Sequence, residues 1–229
     1  MNKLKTDTHL LQTTVTGSSG LFISNEDNMT LMARYPDNYF DLAIVDPEYG
    51  IDVNKMGLGK GKKKQVHTKK DWDSKIPSSE YFNELKRVSK NQIIWGGNYF
   101  LDYLNNTRCI LTWDKIQDFS GSDFEMAWTS FDRVSKTFRM SRIEAYGKGT
   151  IHPTQKPVQL YKWVLKNYAQ EGDKIIDTHL GSGSIAIAVE EMNRFEKMNL
   201  TLTACEIDKE YYTDTTTRIN NHVAQKSLF

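Results

Sequence analysis

The sequence has little of what extracellular, metal-binding or membrane proteins depend on. Its two cysteines, Cys109 and Cys205, lie far apart and lack the short spacings of a zinc site. We therefore expect neither a disulfide framework nor a metal site, and a reducing cytoplasm as the compartment. No run of eighteen or more apolar residues occurs, so no membrane span is expected. The polar stretch Met1–Thr8 is unlike a secretory signal.

A net charge of one sign is also lacking, since 30 Lys and Arg residues against 29 Asp and Glu give a formal charge of +1. The distribution of the charge is less even. Residues 55–70 read KMGLGKGKKKQVHTKK and include Lys60, Lys62, Lys63 and Lys64. A positive block of this kind can follow phosphate groups, and it is also the composition of a solvated surface loop.

Short apolar runs alternate with segments of helical spacing along the 229 residues. Strands are predicted at Leu21–Ser24, Leu42–Val45, Gln92–Trp95, Cys109–Trp113, Lys174–Asp177 and Leu200–Cys205. Helices are predicted at Asn28–Tyr35, at Ser79–Val88, at Val158–Tyr168 and in the apolar run that follows Ser184. Residues 118–150 show no strong period. The alternation predicts one α/β domain over residues 1–229 with a mostly parallel, doubly wound sheet and sites at strand C-termini.

Two of these predicted strands end in acidic residues beside glycine-rich or polar turns. The strand ending at Asp177 is followed by THLGSGS, in which Gly181 and Gly183 allow a close approach of the backbone to a ligand. A later strand ends at Glu206, where a carboxylate can accept hydrogen bonds from ribose hydroxyls. The pair favours a nucleoside-type cofactor over the simpler reading, a tight turn that caps a helix.

The strand Leu42–Val45 is followed by the motif DPEY. Asp46 offers a carboxylate acceptor, Pro47 offers a carbonyl with no N–H of its own, and Tyr49 offers an aromatic face. Together these groups suit a flat heterocycle that carries an amino group. Taken alone, the same four residues are also an ordinary turn at a strand end.

These motifs, in this order, resemble those of the β group of DNA amino-methyltransferases. DPEY is similar to the family's DPPY, DTHLGSGS to its cofactor motif D-x-F-x-G-S-G, and HPTQKP to the segment that precedes that motif. The block ISNEDNMTLMARYPDNYFDLAIVDPEYG resembles the group's opening block, and SKNQIIWGGNYF and CILTWDK resemble its middle. The resemblance extends from about Leu21 to about Tyr212, nearly the whole chain.

The resemblance implies a Rossmann-like, class I methyltransferase fold with permuted motif order. It also implies S-adenosylmethionine as cofactor, double-stranded DNA as partner, and a homodimer. The flipped base would be held by Asp46, Pro47 and Tyr49. The cofactor site would comprise Asp27, Lys156, Asp177, Gly181, Ser182, Gly183 and Glu206, with Thr154, Gln155 and Pro157 near the methionine end. DNA contacts are expected from Lys60, Lys62, Lys63 and Lys64 in a basic loop at 52–75. Arg139 and Arg142 would add contacts from a small target-recognition insert at 118–150.

Two positions depart from the family pattern: Glu48 stands where the family usually has a second proline, and His179 where it usually has phenylalanine. Aspartate at position 46 favours adenine N6 as the methylated atom, because the cytosine-N4 enzymes usually carry serine there. The alternatives are a cytosine-N4 enzyme, an enzyme acting on RNA or a protein amide, and a catalytically silent DNA-binding subunit. A phage or restriction-modification enzyme is the expected type.

Overall fold

The computed structural model describes residues 20–51, 76–116, 122–146 and 155–226. The strands in these ranges are β1 Leu21–Ser24, β2 Phe40–Val45, β3 Ser89–Trp95, β4 Ile110–Asp114, β5 Phe124–Thr129, β6 Lys136–Arg139, β7 Lys174–Asp177 and β8 Thr201–Cys205. The helices are α1 Asn28–Met32, α2 Ser79–Val88, α3 Arg142–Tyr146, α4 Val158–Tyr168, α5 Ser184–Glu196 and α6 Lys209–Lys226. Two short 3-10 helices, Gly97–Tyr99 and Leu101–Tyr103, follow β3.

The strands form one eight-stranded sheet in the order β1-β8-β7-β2-β3-β5-β4-β6. In this order, the first five strands (β1, β8, β7, β2 and β3) are all parallel to one another. Strand β5 is antiparallel to both β3 and β4. The C-terminal ends of β7, β2 and β3 therefore share an edge of the sheet with the N-terminal end of β5. We call this row of strand ends, which runs across the strands and is not an outermost strand, the functional edge.

The central strand β2 explains why helices cover both faces of the sheet. Successive side chains of a strand point to opposite faces, and β2 is apolar on both. Leu42 and Ile44 pack into a core that also contains residues of α4 and α5. Ala43 and Val45 pack into a second core with residues of α1 and α2. Both faces of β2 are therefore sealed from water, and the chain can turn toward solvent only where the strand ends.

The predicted α/β class with a mostly parallel sheet is confirmed, and helices Ser79–Val88 and Val158–Tyr168 are found at the predicted residues. Helix α1 ends at Met32, and the prediction that it reaches Tyr35 is wrong. Pro36 lies close after that end, and proline disfavours helical backbone in the residue before it. The stretch predicted to have no strong period contains β5, β6 and α3, and α6 was not predicted. In the described part of the chain, no helix is long and apolar enough to cross a membrane.

Candidate active site

A cavity of about 170 Å³ opens at the functional edge, around the ends of β2 and β7. It brings together nine residues that the sequence predicts for base or cofactor binding: Asp27, Asp46, Pro47, Tyr49, Gln155, Lys156, Gly181, Ser182 and Glu206. Its other walls include Glu48, Thr178 and His179. Residues 46 and 156 are 110 positions apart in the sequence, so the tertiary fold places them in one cavity.

Asp46 directly follows β2, and protein donors engage both of its carboxylate oxygens. Its Oδ1 accepts a hydrogen bond of 2.5 Å from the Tyr49 hydroxyl, and its Oδ2 accepts one from Lys156 Nζ. Burial raises the pKa of Asp46 above its ordinary value, and the nearby Glu125 carboxylate adds to the effect, while Lys156 opposes it. Asp46 is thus a strong but already partnered acceptor at the cavity wall.

The Tyr49 ring is fixed by close neighbours. Tyr99 stacks on it with ring centroids 4.9 Å apart and planes 13° from parallel. Gly96 approaches it so closely that a Cβ at that position would lie 2.1 Å from Tyr49 Cε1. Burial and the Asp46 carboxylate raise the pKa of Tyr49 well above its ordinary value, so its hydroxyl remains a donor.

The ammonium of Lys156 lies on Asp46 rather than pointing to solvent. Only 2% of its side chain is exposed, and Nζ is 3.1 Å from the Tyr49 hydroxyl and 3.1 Å from Glu125 Oε2. Burial alone would lower the pKa of Lys156, but the carboxylates of Asp46 and Glu125 raise it above its ordinary value. Lys156 lines the cavity, and its donors are used by the DPEY motif and by β5. Its predicted cofactor role stays a prediction.

Glu125 is the residue of this site that the sequence reasoning missed. It is the second residue of β5, and its carboxylate also accepts from Lys115 Nζ, at 2.9 Å. Burial would raise the pKa of Glu125, yet the two lysines hold it below its ordinary value. The only signal in the sequence is an acidic residue at the start of the apolar run FEMAWT, which is a weak one.

The glycine-rich turn after β7 is held by Glu206, which follows β8. Glu206 Oε2 accepts from the Gly181 N–H at 3.0 Å, and Oε1 accepts from the Asp208 N–H at 2.9 Å. Burial raises the pKa of this carboxyl. The turn leads into the thirteen-residue helix α5, and Ser182, in the turn, also lines the cavity.

Asp177 and Gly183 are not among the residues that line the cavity. Asp177 is buried, and its Oδ1 accepts from the His179 N–H at 3.0 Å, which shapes the start of the turn. Gly183 has a φ of +71°, and a Cβ there would lie 2.6 Å from Thr215 Cγ2, so glycine lets the turn pack against α6. Their predicted cofactor role stays a prediction, and the structure gives both a part in forming the turn.

Asp27 caps helix α1, because its Oδ1 accepts from the N–H groups of Met29 and Thr30. Nδ2 of the next residue, Asn28, lies 3.1 Å from His179 Nε2. The same His179 nitrogen is 3.4 Å from Glu48 Oε2. The two departures from the family pattern, Glu48 and His179, therefore face each other and join the DPEY loop to the glycine-rich turn.

Lys60, Lys62, Lys63, Lys64 and Thr154, which the sequence predicts as DNA or cofactor contacts, lie outside the described residues. Arg139 ends β6 with its side chain 74% exposed, and its Nε is 3.0 Å from Asp114 Oδ2. The exposed Arg142 guanidinium lies 5.8 Å from the centroid of the Tyr146 ring. Neither arginine lines the cavity, and the DNA contacts stay a prediction.

Comparisons with known proteins identify the family of the chain and its fold. A family model described as DNA methylase matches residues 90–217, more than half of the chain. A search of curated proteins finds no match.

Solved structures of methyltransferases share the fold. The PvuII DNA methyltransferase, described as cytosine-N4-specific, has a TM-score of 0.57 and 12% identity over 91% of this chain and 94% of its own. M1.HpyAVI, in a complex named as its SAM complex, has a TM-score of 0.56 and 14% identity over 87% and 99%. A putative DNA modification methylase from Thermus thermophilus, complexed with S-adenosyl-L-methionine, has a TM-score of 0.50 and 12% identity over 88% and 93%. The predicted class I methyltransferase fold is thereby confirmed.

Proposed function

We propose, because the chain belongs to the DNA methylase family, that it transfers a methyl group to the N6 amino group of adenine in double-stranded DNA. The observation that carries the proposal is the position of Asp46 and Pro47 at the end of β2, in one cavity with the glycine-rich turn after β7. An amino group placed there meets two acceptors, the Asp46 carboxylate and the Pro47 carbonyl. Aspartate at this position favours adenine over cytosine, as the family resemblance implies.

The methyl donor is S-adenosylmethionine, with which two of the similar structures were determined. When bound, it supplies an electrophilic methyl group on a sulfonium. The residues fit its nucleoside part: each oxygen of Glu206 accepts one backbone N–H, and a carboxylate has about four acceptor sites. Two of those sites remain for ribose hydroxyls. The Gly181–Ser182 turn and Asp27 would form the rest of the cofactor site.

The chain activates the amino nitrogen by hydrogen bonding rather than by a covalent intermediate. The lone pair of an exocyclic amino group is delocalised into the ring, which makes the nitrogen a weak nucleophile. Acceptance of its two N–H bonds by Asp46 and the Pro47 carbonyl draws the lone pair out of conjugation. The same acceptors offset the positive charge that develops on nitrogen, an effect of about 3 kcal/mol for each group.

The target base leaves the duplex to reach this cavity, at a cost of a few kcal/mol. Stacking on an aromatic ring recovers roughly 1–3 kcal/mol of that cost. Tyr99, which is 42% exposed, already stacks on Tyr49. A base that stacks on the same face of Tyr49 takes the place of the Tyr99 ring. The lysines of 52–75, with Arg139 and Arg142, would hold the DNA backbone.

Cytosine N4 is the second candidate target, because a similar structure is described as cytosine-N4-specific. The same two acceptors would serve the amino group of either base. The compartment that we propose is the cytoplasm. A homodimer stays a prediction of the sequence resemblance.

The test is nucleoside mass spectrometry of unmethylated DNA incubated with the protein and S-adenosylmethionine. We expect N6-methyladenine from the wild type and a loss of about 10²- to 10³-fold in rate for Asp46→Asn, the usual effect of removing one such acceptor or donor. Asp37→Asn, an exposed aspartate near the opposite end of β2, is the control and should keep full activity. N4-methylcytosine would change the base but not the mechanism. No methylated base, despite cofactor and DNA binding, would support the silent-subunit alternative.

A further inference from the structure

Two partly buried carboxylates share one buried ammonium at the wall of the cavity. Lys156 Nζ bonds Asp46 Oδ2 on one side and lies 3.1 Å from Glu125 Oε2 on the other. The Lys156 side chain is 2% exposed, against 15% for Asp46 and 25% for Glu125. A cation in such a place is held by its partners rather than by water, so the loss of one partner shifts its whole charge onto the other.

The arrangement poses a problem for catalysis by Asp46. An ammonium bonded to a carboxylate competes with any other donor for that carboxylate and cancels its charge. The amino group of the target base gains positive charge as it reacts, and an Asp46–Lys156 pair of net charge zero would do little to offset that charge. With Glu125 as a second partner, the positive charge of Lys156 is shared between two carboxylates and does not cancel that of Asp46 alone.

We propose that Glu125 is a positioning residue, which shares the Lys156 ammonium with Asp46 and so preserves Asp46 as an acceptor for the amino group of the base. This inference rests on the proposed function. Glu125 itself is held from behind by Lys115, 2.9 Å from its Oε1, whose side chain is 11% exposed. The chain of contacts thus runs from Lys115 through Glu125 and Lys156 to Asp46, with Asp46 at the reacting end.

Strand direction is what allows Glu125 to take this place. Because β5 is antiparallel to β3, the first residues of β5 lie at the functional edge, beside the end of β3. Trp95, the last residue of β3, pairs with Ala127, so Glu125 extends past the end of β3 on the side of the cavity. Lys156 also lies 5.4 Å from the centroid of the Trp95 ring, which helps to fix its ammonium between the two carboxylates.

The experiment is a double-mutant cycle on the rate of methyl transfer in a single turnover, with wild type, Glu125→Gln, Lys156→Met and the double variant. We expect Glu125→Gln to lower the rate on the order of tenfold, the size typical of coupling within one polar network. Glu125→Asp should recover part of the loss. In the Lys156→Met background, Glu125→Gln should no longer lower the rate. Equal losses in both backgrounds, or an unchanged rate in Glu125→Gln, would overturn the proposal.

The pH dependence of the same rate gives a readout that a purely structural role would not change. The groups whose charges interact with the Asp46 carboxyl are Lys156, Glu125, Tyr49, Tyr146, Tyr161 and Asp177. The charge of Glu125 raises the pKa of Asp46. Glu125→Gln should therefore move the acid limb of the profile to lower pH while lowering its plateau. A lower plateau with an unmoved acid limb contradicts the proposal. Glu144→Gln, an exposed carboxylate on α3, is the control and should change neither.

Urea unfolding midpoints of the same four proteins separate this inference from the proposed function. A wild type that forms no methylated base defeats the proposed function. The midpoints still report whether Glu125 holds Lys156, since they need no catalysis. We expect the double variant to lose less than the sum of the single losses. Additive losses would overturn the link between the two residues.

Discussion

Gly96 offers a direct way to move Tyr49 without changing any polar group of the site. Its φ is +70°, and an alanine Cβ there would lie 2.1 Å from Tyr49 Cε1, much closer than real Cβ contacts. In Gly96→Ala the tyrosine ring must therefore shift. We expect it to lose its hydrogen bond to Asp46, its stacking on Tyr99, and its alignment with a bound base.

The expected effect of Gly96→Ala has two parts: a loss of stability caused by the backbone, and a loss of activity caused by the displaced tyrosine ring. An alanine in the left-handed region costs about 1–2 kcal/mol of unfolding free energy. Loss of the stacking surface for the base costs a further 1–3 kcal/mol or so in the transition state. Since each 1.4 kcal/mol or so is a factor of ten in rate, we expect kcat/KM for DNA methylation to fall by roughly 10- to 100-fold.

Gly172 supplies the matched control, because its φ of +82° is also left-handed while a Cβ there meets nothing within 4 Å. Gly172→Ala should lose only the backbone part of the stability in urea unfolding and keep its methylation rate. Both variants are assayed with the same DNA at saturating S-adenosylmethionine. If Gly96→Ala loses no more activity than Gly172→Ala, Tyr49 does not act as a stacking surface, and the reasoning fails.

Three further predictions test other parts of the molecule. Arg139→Ala should weaken DNA binding and lower the slope of log affinity against log salt by about one. The control is Arg108→Ala, which changes an exposed, ion-paired arginine at the opposite ends of the strands and should not change the slope. Equal slopes for the two variants would mean that Arg139 does not contact DNA. Burial raises the pKa of Asp177 to about 8, so between about pH 4 and pH 8 the folded protein keeps a proton that the unfolded chain releases. The stability that this proton confers is present at low pH and is lost as the pH rises through that window. The unfolding free energy of Asp177→Asn, relative to that of the wild type, should therefore increase from pH 4 to pH 8. A difference that does not change with pH would contradict the raised pKa. His179→Phe should lower the free energy of unfolding in urea by about 1–3 kcal/mol, because it leaves polar partners unpaired. Glu48→Gln should lower that free energy less in the His179→Phe variant than in the wild type. Additive losses would mean that Glu48 and His179 do not interact.

The acidic ends of parallel strands could be predicted from the sequence. Strands such as β2 and β7 are buried on both faces and so appear as short apolar runs, and the residue after each run is fixed at one edge of the sheet. This reasoning located Asp46 and Glu206, and both line the cavity. It needed no knowledge of the order of strands in the sheet.

Glu125 and the partners of Lys156 could not be predicted in this way. Strand β5 is exposed at its start and buried only over its last three residues, so it shows no clear alternation. Its antiparallel direction puts the first part of the strand at the site, the reverse of the rule for parallel strands. Helix α6 was missed because its sequence contains many threonine and asparagine residues, which have low helix propensity.

The pairing of the sheet also determines when the cavity can exist as the chain folds. Strand β1 pairs with β8, joining Leu21 to Leu202, and β2 pairs with β7, joining Leu42 to Ile175. Contacts between residues so far apart in sequence give a high contact order, and such topologies fold slowly because long loops must close before any contact forms. Asp46 and Gly181 come together only after these closures. A partly folded chain therefore has no cavity at this edge, and recovery of cofactor binding after dilution from urea should coincide with the slowest folding phase.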